Sequence, residues 1–482
     1  MECQTVYLNV TGMKSLPNQL FVGAWPVAIS LLERWLQRGE RVDALLESAG
    51  RRAPDAWSGE ERARCQHVLF GALRHYGRIN AAVTALVERP PRARLRAVLL
   101  VAGFELLEAG MTPSDEGQAA RIVHHSVDQA KTLLSPAEAR LVNAVLRRLG
   151  EAAVVGAAPP AAGADAAELA CFFSHPDWLI RRWLAQFGAE ATHRLLQWDQ
   201  TPPPVYGRWR SVFATTPAAG SPALPPPAFL QPTGWAGFYI VPAGHWPEVE
   251  RWLADGTLYL QDPATLIAAE LLDPQPAETV LDLCAAPGGK SLLLADLLEA
   301  RTRQNDTRAS AGLPSEALAK AGRVIAVDRP DPRRIGRLKE NLAKARTTDV
   351  ALVQADVRKL TPALLEQHGL PAGYSAVLLD VPCSNTGVMR HRVDVKWRLR
   401  EADIAQHATQ QLALLTAAAQ LVAPGGRLVY STCSLEPEEN EGVVEAFLRA
   451  CGGRLALEQS RHSRPWETGC DGAAAFLLRK NT

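Results

Sequence analysis

The stretch Thr279–Ser291 constrains the fold of this chain more than any other. It is an apolar run with a single acid, Asp282, followed by a Pro-Gly-Gly turn and then by the apolar residues 292–300. The pattern predicts a buried parallel strand, a turn and a helix, which is the first unit of an α/β sheet of the nucleotide-binding type. Glycines in the turn would let the backbone approach a ligand, because a Cβ there would clash.

Several interpretations of this turn compete. A dinucleotide-binding fingerprint needs three spaced glycines, but only two adjacent ones are present. Gly289-Lys290-Ser291 nearly matches a phosphate-binding P-loop, but Cys284 stands where the first glycine should be. A turn without a ligand is a third interpretation. The fourth rests on the whole string 282–290, which resembles the first motif of the RNA 5-methylcytosine methyltransferases, where the loop holds S-adenosylmethionine.

Length and composition are those of a globular protein with two or three domains. The chain has 482 residues, 47% of them hydrophobic and 21% charged. Because the net charge is only +1, nucleic-acid binding would require local patches. Eight scattered cysteines without zinc spacing predict no metal, no disulfide and a cytoplasmic location. With no apolar run of about 18 residues, no membrane contact is expected.

The periodicity of the apolar residues predicts the domain organisation. Stripes with a helical period are interrupted by Pro-containing turns in the first part of the chain, and strand-like runs dominate the last part. The predicted segments are an N-terminal extension (1–23), an all-α domain (24–150), a linker rich in Ala, Pro and Gly (151–168), a connecting subdomain (169–255) and an α/β domain (256–482).

Arginines are frequent in the predicted helical domain, and a guanidinium suits phosphate recognition. A solvated helix surface with interspersed glutamates explains the same pattern equally well. RNA contact is favoured by the strings 71–76 and 141–148, which resemble the helical RNA-binding domain of the NusB family. The arginines are Arg62, Arg64, Arg74, Arg78, Arg89, Arg92, Arg94, Arg96, Arg140, Arg147 and Arg148.

Acids end the next two predicted strands, at Asp328 and Asp356. Because the carboxyl ends of parallel strands meet at the ligand-binding edge, two such acids favour a cofactor site over helix caps. Asp328 follows Asp282 by 46 residues (328 − 282), more than the roughly 20 of a typical βαβ unit. The polar segment 301–320 is predicted to be a surface insertion that accounts for the excess.

Two cysteines lie at the ends of the fourth and fifth predicted strands. Residues 376–387 contain Asp380 and Cys383, and residues 427–440 contain Cys433. Cysteines are commonly buried and inert, and this remains the interpretation for the other six. The flanks of Cys383 and Cys433 resemble the Pro-Cys and Thr-Cys motifs of the RNA 5-methylcytosine methyltransferases.

The resemblance to these methyltransferases covers about residues 170–480 and implies a role for each matching residue. Cys433 adds to carbon 6 of cytosine, so that carbon 5 becomes nucleophilic. Cys383 assists release of the methylated RNA, Asp380 stabilises charge at ring nitrogen 3 as a protonated acid or hydrogen-bond partner, and Lys290 lies near both thiols. The implied contacts to S-adenosylmethionine are Cys284, Ala285, Ala286, Pro287, Gly288, Gly289, Lys290, Asp328, Arg333, Asp356 and Asp380.

Between the two cysteines, residues 388–400 interleave basic side chains with Trp397. Such a mixture suits contact with phosphates and an unstacked base. A solvated helix start is the alternative, but the position beside the predicted site favours RNA contact.

The sequence therefore predicts a Rossmann-like methyltransferase domain, with a mostly parallel seven-stranded sheet, preceded by an all-α NusB-like domain. The chain resembles the RsmB/Nop family, which implies S-adenosylmethionine-dependent methylation of carbon 5 of a cytosine in small-subunit (16S) ribosomal RNA. The protein is expected to be a monomer. One alternative is the same chemistry on transfer RNA or another ribosomal site. The other is a non-catalytic RNA-binding assembly or antitermination factor, against which the retained cysteines and glycine loop argue.

Overall fold

Two compact units make up the computed structural model, which describes residues 23–52, 58–111, 117–151, 158–210, 225–309, 322–345 and 350–482. The α/β unit consists of residues 203–388 and 400–482, and the helical unit consists of the preceding part of the chain together with residues 389–399. The predicted extension before Gly23, and residues 310–321 of the region that was expected to hold an insertion, lie outside the described residues. Among those described, no helix is both long and apolar enough to cross a membrane.

The helical unit has one core, with helix α5 at its centre. Residues on all sides of α5 are buried, among them Leu99, Leu100 and Val101, and a helix that is buried all round belongs inside a core. Helices α1, α3, α6 and α7 pack against it. The bounds are α1 Ala24–Arg38, α2 Val42–Arg52, α3 Gly59–Arg74, α4 Tyr76–Leu86, α5 Ala93–Met111, α6 Gln118–Leu133, α7 Pro136–Glu151, α8 Ala166–Phe172 and α9 Asp177–Gln200.

After α9 the chain alternates between strands and helices. Helix α15 lies in the segment 389–399 of the helical unit, and the other elements belong to the α/β unit. Their bounds are β1 Val205–Trp209, β2 Gln231–Pro232, β3 Phe238–Val241, α10 Trp246–Asp255, β4 Leu258–Leu260, α11 Leu266–Leu272, β5 Thr279–Leu283, α12 Gly289–Ala309, β6 Arg323–Asp328, α13 Pro332–Lys344, β7 Val350–Gln354, α14 Pro362–Gln367, β8 Tyr374–Asp380, α15 Val395–Arg398, α16 Glu401–Gln420, β9 Val422–Thr432, α17 Glu441–Ala450, β10 Leu455–Ser463, α18 Pro465–Thr468 and β11 Ala473–Lys480.

A seven-stranded sheet in the order β10-β11-β9-β8-β5-β6-β7 confirms the predicted fold class. Strands β5 to β9 are parallel, and β11 is antiparallel to both of its neighbours. Alternate strand residues face opposite sides: Leu281 packs in a core with residues of α16 and α17, and Val280 packs in a core with residues of α11 and α12. Both faces are covered, which explains why these strands are apolar runs without alternation.

A second, four-stranded antiparallel sheet in the order β2-β3-β1-β4 was not predicted. Its strand β1 is joined to α12 by a buried ion cluster, in which Arg208 and Arg210 both pair with Asp296. Buried charges persist when they are paired, and this cluster therefore fixes the small sheet against the first helix after the glycine loop.

Candidate active site

The glycine loop connects β5 to α12 at the carboxyl edge of the large sheet. β5 ends directly before Cys284, which has a φ of 64°, and α12 begins at Gly289. Gly288 has a φ of 112°, and a Cβ there would lie 2.7 Å from Cδ1 of Leu338, so this turn requires glycine. The predicted cofactor residues 284–290 thus form one continuous turn at a helix N-terminus, where polar ligand groups bind readily.

The acid at the end of β6, Asp328, is buried and joined to this loop. Its carboxylate accepts a hydrogen bond from the backbone amide of Ala286 at 2.8 Å. The guanidinium of Arg334 donates to both carboxylate oxygens at 2.7 Å, a bidentate geometry that orients the acid. Arg333, for which the sequence predicted a cofactor contact, has an exposed side chain. Asp331 caps α13 at Arg333 and Arg334, and the helix then directs Arg334 to the strand end.

Asp356 follows β7, next to the end of β6. The amide of Ala355 donates to the backbone oxygen of Asp328 at 2.9 Å. The Asp356 carboxylate pairs with Arg358 at 2.6 Å and accepts its backbone amide at 3.0 Å. The hydrogen bond from Arg358 is the main reason why the pKa of Asp356 is lowered. The two predicted cofactor acids therefore lie on adjacent strand ends.

Lys290, Asp380 and Ser431 form a polar group in which Lys290 and Ser431 are buried and the Asp380 side chain is 10% exposed. The Lys290 ammonium lies 2.9 Å from Oδ2 of Asp380, and the Ser431 hydroxyl donates to Oδ1 at 2.7 Å. Burial raises the pKa of Asp380, but the positive charges near it, Lys290 foremost, outweigh burial and hold that pKa below its usual value. An Asp380 that is held as a carboxylate favours the predicted role of hydrogen-bond partner over that of protonated acid, and both stay predictions.

The two predicted catalytic cysteines are brought together. Their sulfur atoms lie 3.2 Å apart, at the ends of β8 and β9, and both side chains are buried. The hydrogen bond to Cys433 and burial raise the pKa of Cys383 well above its usual value. Asn385 Oδ1 lies 3.6 Å from the Cys433 sulfur. Cys383 thus stays a thiol, able to donate its proton to the neighbouring sulfur.

Backbone contacts hold the two cysteine loops together. The Gly387 amide donates to the Cys433 carbonyl at 3.0 Å, and the Gly472 amide donates to the Gly387 carbonyl at 2.7 Å. A Cβ on Gly387 would lie 2.8 Å from the Cys433 oxygen, so glycine is required there for the close approach.

A cavity opens beside Cys433. Lys290, Ser431 and Thr432 line it on the side of the predicted site. Asp262 and Asp471 also line it, and the Asp471 amide donates to Asp262 at 3.2 Å. Cys383 is not among its lining residues. One of the two thiols is therefore placed to meet a ligand.

The predicted residues thus form two groups at the carboxyl edge of the large sheet. One is the glycine loop with Asp328 and Asp356, and the other is Asp380 with Cys383 and Cys433. Lys290 belongs to both groups, since it is the second residue of α12, directly after the two glycines, and contacts Asp380. Sequence reasoning missed Arg334 and Ser431. Ser431 could have been found, because it stands two positions before Cys433 and its side chain points to the same sheet face.

Residues 388–400 were predicted to contact RNA, but the buried part of this stretch packs within the helical unit, to which residues 389–399 belong. Lys396 is 1% exposed and donates to the Arg74 carbonyl at 3.1 Å. Trp397 donates to the Leu73 carbonyl at 3.0 Å, with its ring centroid 4.9 Å from that of Tyr76. The prediction was wrong for Lys396, because a buried ammonium bonded to a carbonyl cannot reach a phosphate.

The arginines of the helical unit, which were predicted to lie on its surface, have three different environments in the structure. Arg74 and Arg78 are buried, while Arg140, Arg147 and Arg148 are exposed. Others pair with acids of the same unit, namely Arg64 with Glu105, Arg92 with Glu138 and Arg94 with Glu33. The paired arginines fit a solvated helix surface with interspersed acids, the buried ones fit neither interpretation, and RNA contact stays a prediction for the exposed ones.

A seven-stranded sheet with a glycine loop after β5 and acids at the next strand ends defines a Rossmann-like methyltransferase domain. Comparison with known proteins extends this assignment. The family described as 16S rRNA methyltransferase RsmB/F matches residues 269–309 and 312–466, and the NusB family matches residues 26–151.

Whole-chain relatives agree with the family matches. The ribosomal RNA small subunit methyltransferase B of Sodalis glossinidius (strain morsitans) is 30% identical over 429 residues, 88% of each chain. That of Serratia proteamaculans (strain 568) is 28% identical over 452 residues, 91% of this chain and 93% of the relative. The crystal structure of PH0851 has a TM-score of 0.68 at 22% identity, covering 97% of this chain and 100% of that one, which shows a shared fold. The chain belongs to the RsmB/F family of 16S rRNA methyltransferases, with an N-terminal NusB-like region.

Proposed function

We propose that this protein methylates carbon 5 of a cytosine in 16S ribosomal RNA, with S-adenosylmethionine as the methyl donor and Cys433 as the nucleophile. The observation that carries the proposal is the asymmetry of the two thiols. They lie 3.2 Å apart, but only Cys433 lines the cavity, together with Lys290 and Ser431. The nucleophile has to reach the substrate, and Cys433 is placed to do so. A cysteine that only assists release, as proposed for Cys383, does not need to line the cavity.

The residues around the glycine loop fit S-adenosylmethionine. Gly288 has a φ of 112°, a conformation that side chains rarely adopt, so glycine is needed for the turn of the loop at the proposed cofactor site. Asp328 and Asp356, at adjacent strand ends, are acceptors for the hydroxyl and amino groups of a nucleoside. Residues 284–290 and Asp380 complete the proposed contacts. The cofactor, when bound, supplies an electrophilic methyl group.

The first step that we propose joins the Cys433 sulfur to carbon 6 of the cytosine. Electrons of the ring double bond shift toward nitrogen 3, which takes up the proton that the Cys433 thiol has given up. The Asp380 carboxylate accepts a hydrogen bond from the protonated nitrogen, and Lys290 keeps Asp380 ionised and in place. Carbon 5 is thereby made nucleophilic, so one difficult step becomes two easier ones.

Release of the product reverses the addition. Once carbon 5 carries the methyl group, a base removes its proton, the electrons expel the Cys433 sulfur from carbon 6, and the proton on nitrogen 3 returns to that sulfur. The pKa of Cys383 is high, because of the hydrogen bond to Cys433 and burial, so Cys383 can donate a hydrogen bond to the departing sulfur at 3.2 Å. Cys383 is therefore proposed to assist release and not to attack.

The proposed substrate, 16S ribosomal RNA, is inferred from the relatives, since the two described above are ribosomal RNA small subunit methyltransferases. The NusB-like region supplies exposed arginines for phosphate contacts. A non-catalytic RNA-binding role would leave the thiol pair, the ion pair and the cavity without a use.

The test is methyl transfer from labelled S-adenosylmethionine to unmodified 16S ribosomal RNA by the wild type, Cys433→Ala and Cys383→Ala. Cys451→Ala serves as a matched control, because Cys451 is a buried cysteine of the same unit. We expect no transfer with Cys433→Ala, a covalent RNA adduct that persists with Cys383→Ala, and wild-type transfer with Cys451→Ala.

Two other outcomes would change the assignment. A persistent adduct with Cys433→Ala would exchange the roles of the two cysteines. If the enzyme methylates transfer RNA or another ribosomal position but not 16S ribosomal RNA, the proposed reaction is supported and the proposed substrate is refuted.

A further inference from the structure

The two cysteine loops share one buried carboxylate, that of Glu439. Its side chain is fully buried in the α/β unit, between the residues that follow each cysteine. Ser384 follows Cys383, and Ser434 follows Cys433. The Ser384 and Ser434 hydroxyls both donate to Oε2 of Glu439, the latter at 2.5 Å. One side chain therefore bridges the two loops that carry the thiols.

The other carboxylate oxygen of Glu439 is also occupied by two donors. The backbone amide of Ser384 donates to Oε1 at 2.9 Å, and Nε2 of Gln411 donates to it at 3.0 Å. Four donors thus fill the acceptor capacity of a carboxylate. A buried acid with all its acceptor sites used is held in one position, and it holds its donors in turn.

The bridge is supported from the helix and strand next to it. Gln411, which is fully buried in α16, uses its amide nitrogen to donate to the Pro382 carbonyl at 3.0 Å as well as to Glu439. The Tyr430 hydroxyl, on β9, donates to the Glu439 backbone oxygen at 2.6 Å. The residues on both sides of Cys383, Pro382 and Ser384, are therefore tied to one network.

We propose that Glu439 is a positioning residue, which keeps the Cys383 and Cys433 sulfur atoms at the separation that addition and release require. The inference rests on the proposed function for the meaning of that separation. Glu439 touches neither sulfur and acts through Ser384 and Ser434. Misplacement of reacting groups by about 1 Å can cost on the order of 100-fold in rate, so a bridge between the loops has a measurable effect on catalysis.

The first test measures thiol pairing without any methyl transfer. Phenylarsine oxide bonds to two nearby thiols, losing its oxygen as water with the two thiol protons, and its affinity therefore reports how well the two sulfur atoms are held together. We expect Glu439→Ala to weaken binding about ten-fold through lost preorganisation, and Cys383→Ala to abolish the two-sulfur mode.

Glu278→Ala is the matched control. Glu278 also accepts four hydrogen bonds, from Gln275, Ser375 and both terminal nitrogens of Arg427, but it precedes β5, at the opposite strand ends. We expect Glu278→Ala to lower the stability and leave arsenical affinity unchanged. Equal losses with Glu278→Ala and Glu439→Ala would reduce Glu439 to a general structural role and overturn the proposal.

The second test separates kcat from KM on ribosomal RNA. We expect Glu439→Ala to lower kcat by about 100-fold with KM within two-fold of the wild type, because substrate contacts remain and alignment is lost. Glu439→Gln should recover most of kcat, since its amide oxygen still accepts from Ser384 and Gln411 and the serine hydroxyls can rotate to accept from its nitrogen. Unchanged arsenical affinity in Glu439→Ala would refute positioning, whereas loss of that affinity with no activity in the wild type would count only against the proposed function.

Discussion

Buried charge is handled in opposite ways by the two units. In the α/β unit, buried acids face cations or several donors: Asp328 faces Arg334, and Asp380 faces Lys290. In the helical unit, buried cations face mainly backbone carbonyls, as Lys396 does at Arg74 and Arg390 does at Thr201. The first arrangement places opposite charges in contact, and in the second the hydrogen bonds of the cations go mainly to neutral groups.

The pKa directions follow from this difference. In the helical unit, burial lowers the pKa of Lys396 to about 7 and that of Arg74 to about 10. A carbonyl accepts a proton donor but contributes no net charge, so burial prevails. In the α/β unit, burial raises the pKa of Asp380, but nearby positive charge, with Lys290 foremost, outweighs it. The environment in the α/β unit therefore keeps Asp380 ionised, whereas burial in the helical unit lowers the fraction of Lys396 that is protonated near neutral pH.

Removing the ammonium of the α/β pair is the strongest test of this comparison. Lys290→Met would remove the cation that lies 2.9 Å from the largely buried Asp380 carboxylate, at a cost of about 3–5 kcal/mol in the free energy of unfolding of this unit. Methyl transfer should fall by at least about 100-fold, since the loss removes an electrostatic contact at the site. Chemical denaturation and single-turnover kinetics would measure the two effects.

The double variant Lys290→Met/Asp380→Asn is the control for that prediction. Because the carboxylate charge is also removed, this double variant should regain most of the stability and none of the activity. A cost below about 1 kcal/mol for Lys290→Met alone would mean that the pair is not neutralising a buried charge, and the contrast between the units would disappear.

Lys396→Met tests the other side of the comparison through pH. Unfolded lysine has a pKa of 10.5, and the folded pKa is about 7. Between these values the unfolded state binds more protons, so the free energy of unfolding rises with pH, by about 2 kcal/mol from pH 7 to 9. The groups that act on Lys396 are Asp199, which raises its pKa, and Arg74, which lowers it.

In Lys396→Met this part of the pH dependence should vanish. Lys131→Met, on the exposed surface of the same unit, should retain it. Urea unfolding at pH 7, 8 and 9, followed by tryptophan fluorescence, measures the slope. Equal slopes in the wild type and in Lys396→Met would show that the buried ammonium does not titrate in this window.

The same contrast explains what the sequence could predict. Residues at the ends of parallel strands, such as Asp328, Asp380 and Cys433, were found because strand direction and order fix where those ends meet. The sequence could not decide whether the basic segment with Trp397 contacts RNA or packs inside the protein. A cation that binds a carbonyl and a cation that binds a phosphate have the same sequence pattern. Only the tertiary packing against α3 and α4 distinguishes them.

Two smaller misses have local causes. The strands β2 and β4 contain two and three residues, too few to show an alternating pattern. The offset between Arg333 and Arg334 depends on where α13 begins, and helix ends are the least certain part of a sequence prediction. One residue turns a helix by about 100°, which decides whether a side chain meets Asp328 or solvent.

Arg334→Ala and Arg333→Ala form a matched pair that sharpens this point. Loss of the bidentate contact leaves Asp328 less well oriented, and we expect about ten-fold weaker binding of S-adenosylmethionine in Arg334→Ala. Arg333→Ala should bind within two-fold of the wild type, because its side chain is exposed. Isothermal titration calorimetry measures both, and the reverse order would restore the contact predicted from sequence.

The smallest expected effect concerns the exposed arginines of α7. Arg140 and Arg147 are seven residues apart and so share one helix face; both are exposed. If each contacts a phosphate, the double change to glutamine should lower the slope of log affinity against log salt by about 2, with a modest loss of affinity at low salt. Arg92→Gln is the control, because Arg92 already pairs with Glu138 at 2.5 Å and should leave the slope unchanged. A slope that responds to Arg92 and not to Arg140 and Arg147 would mean that RNA draws a paired arginine away from its acid, and the exposed face of α7 would then lose its proposed role.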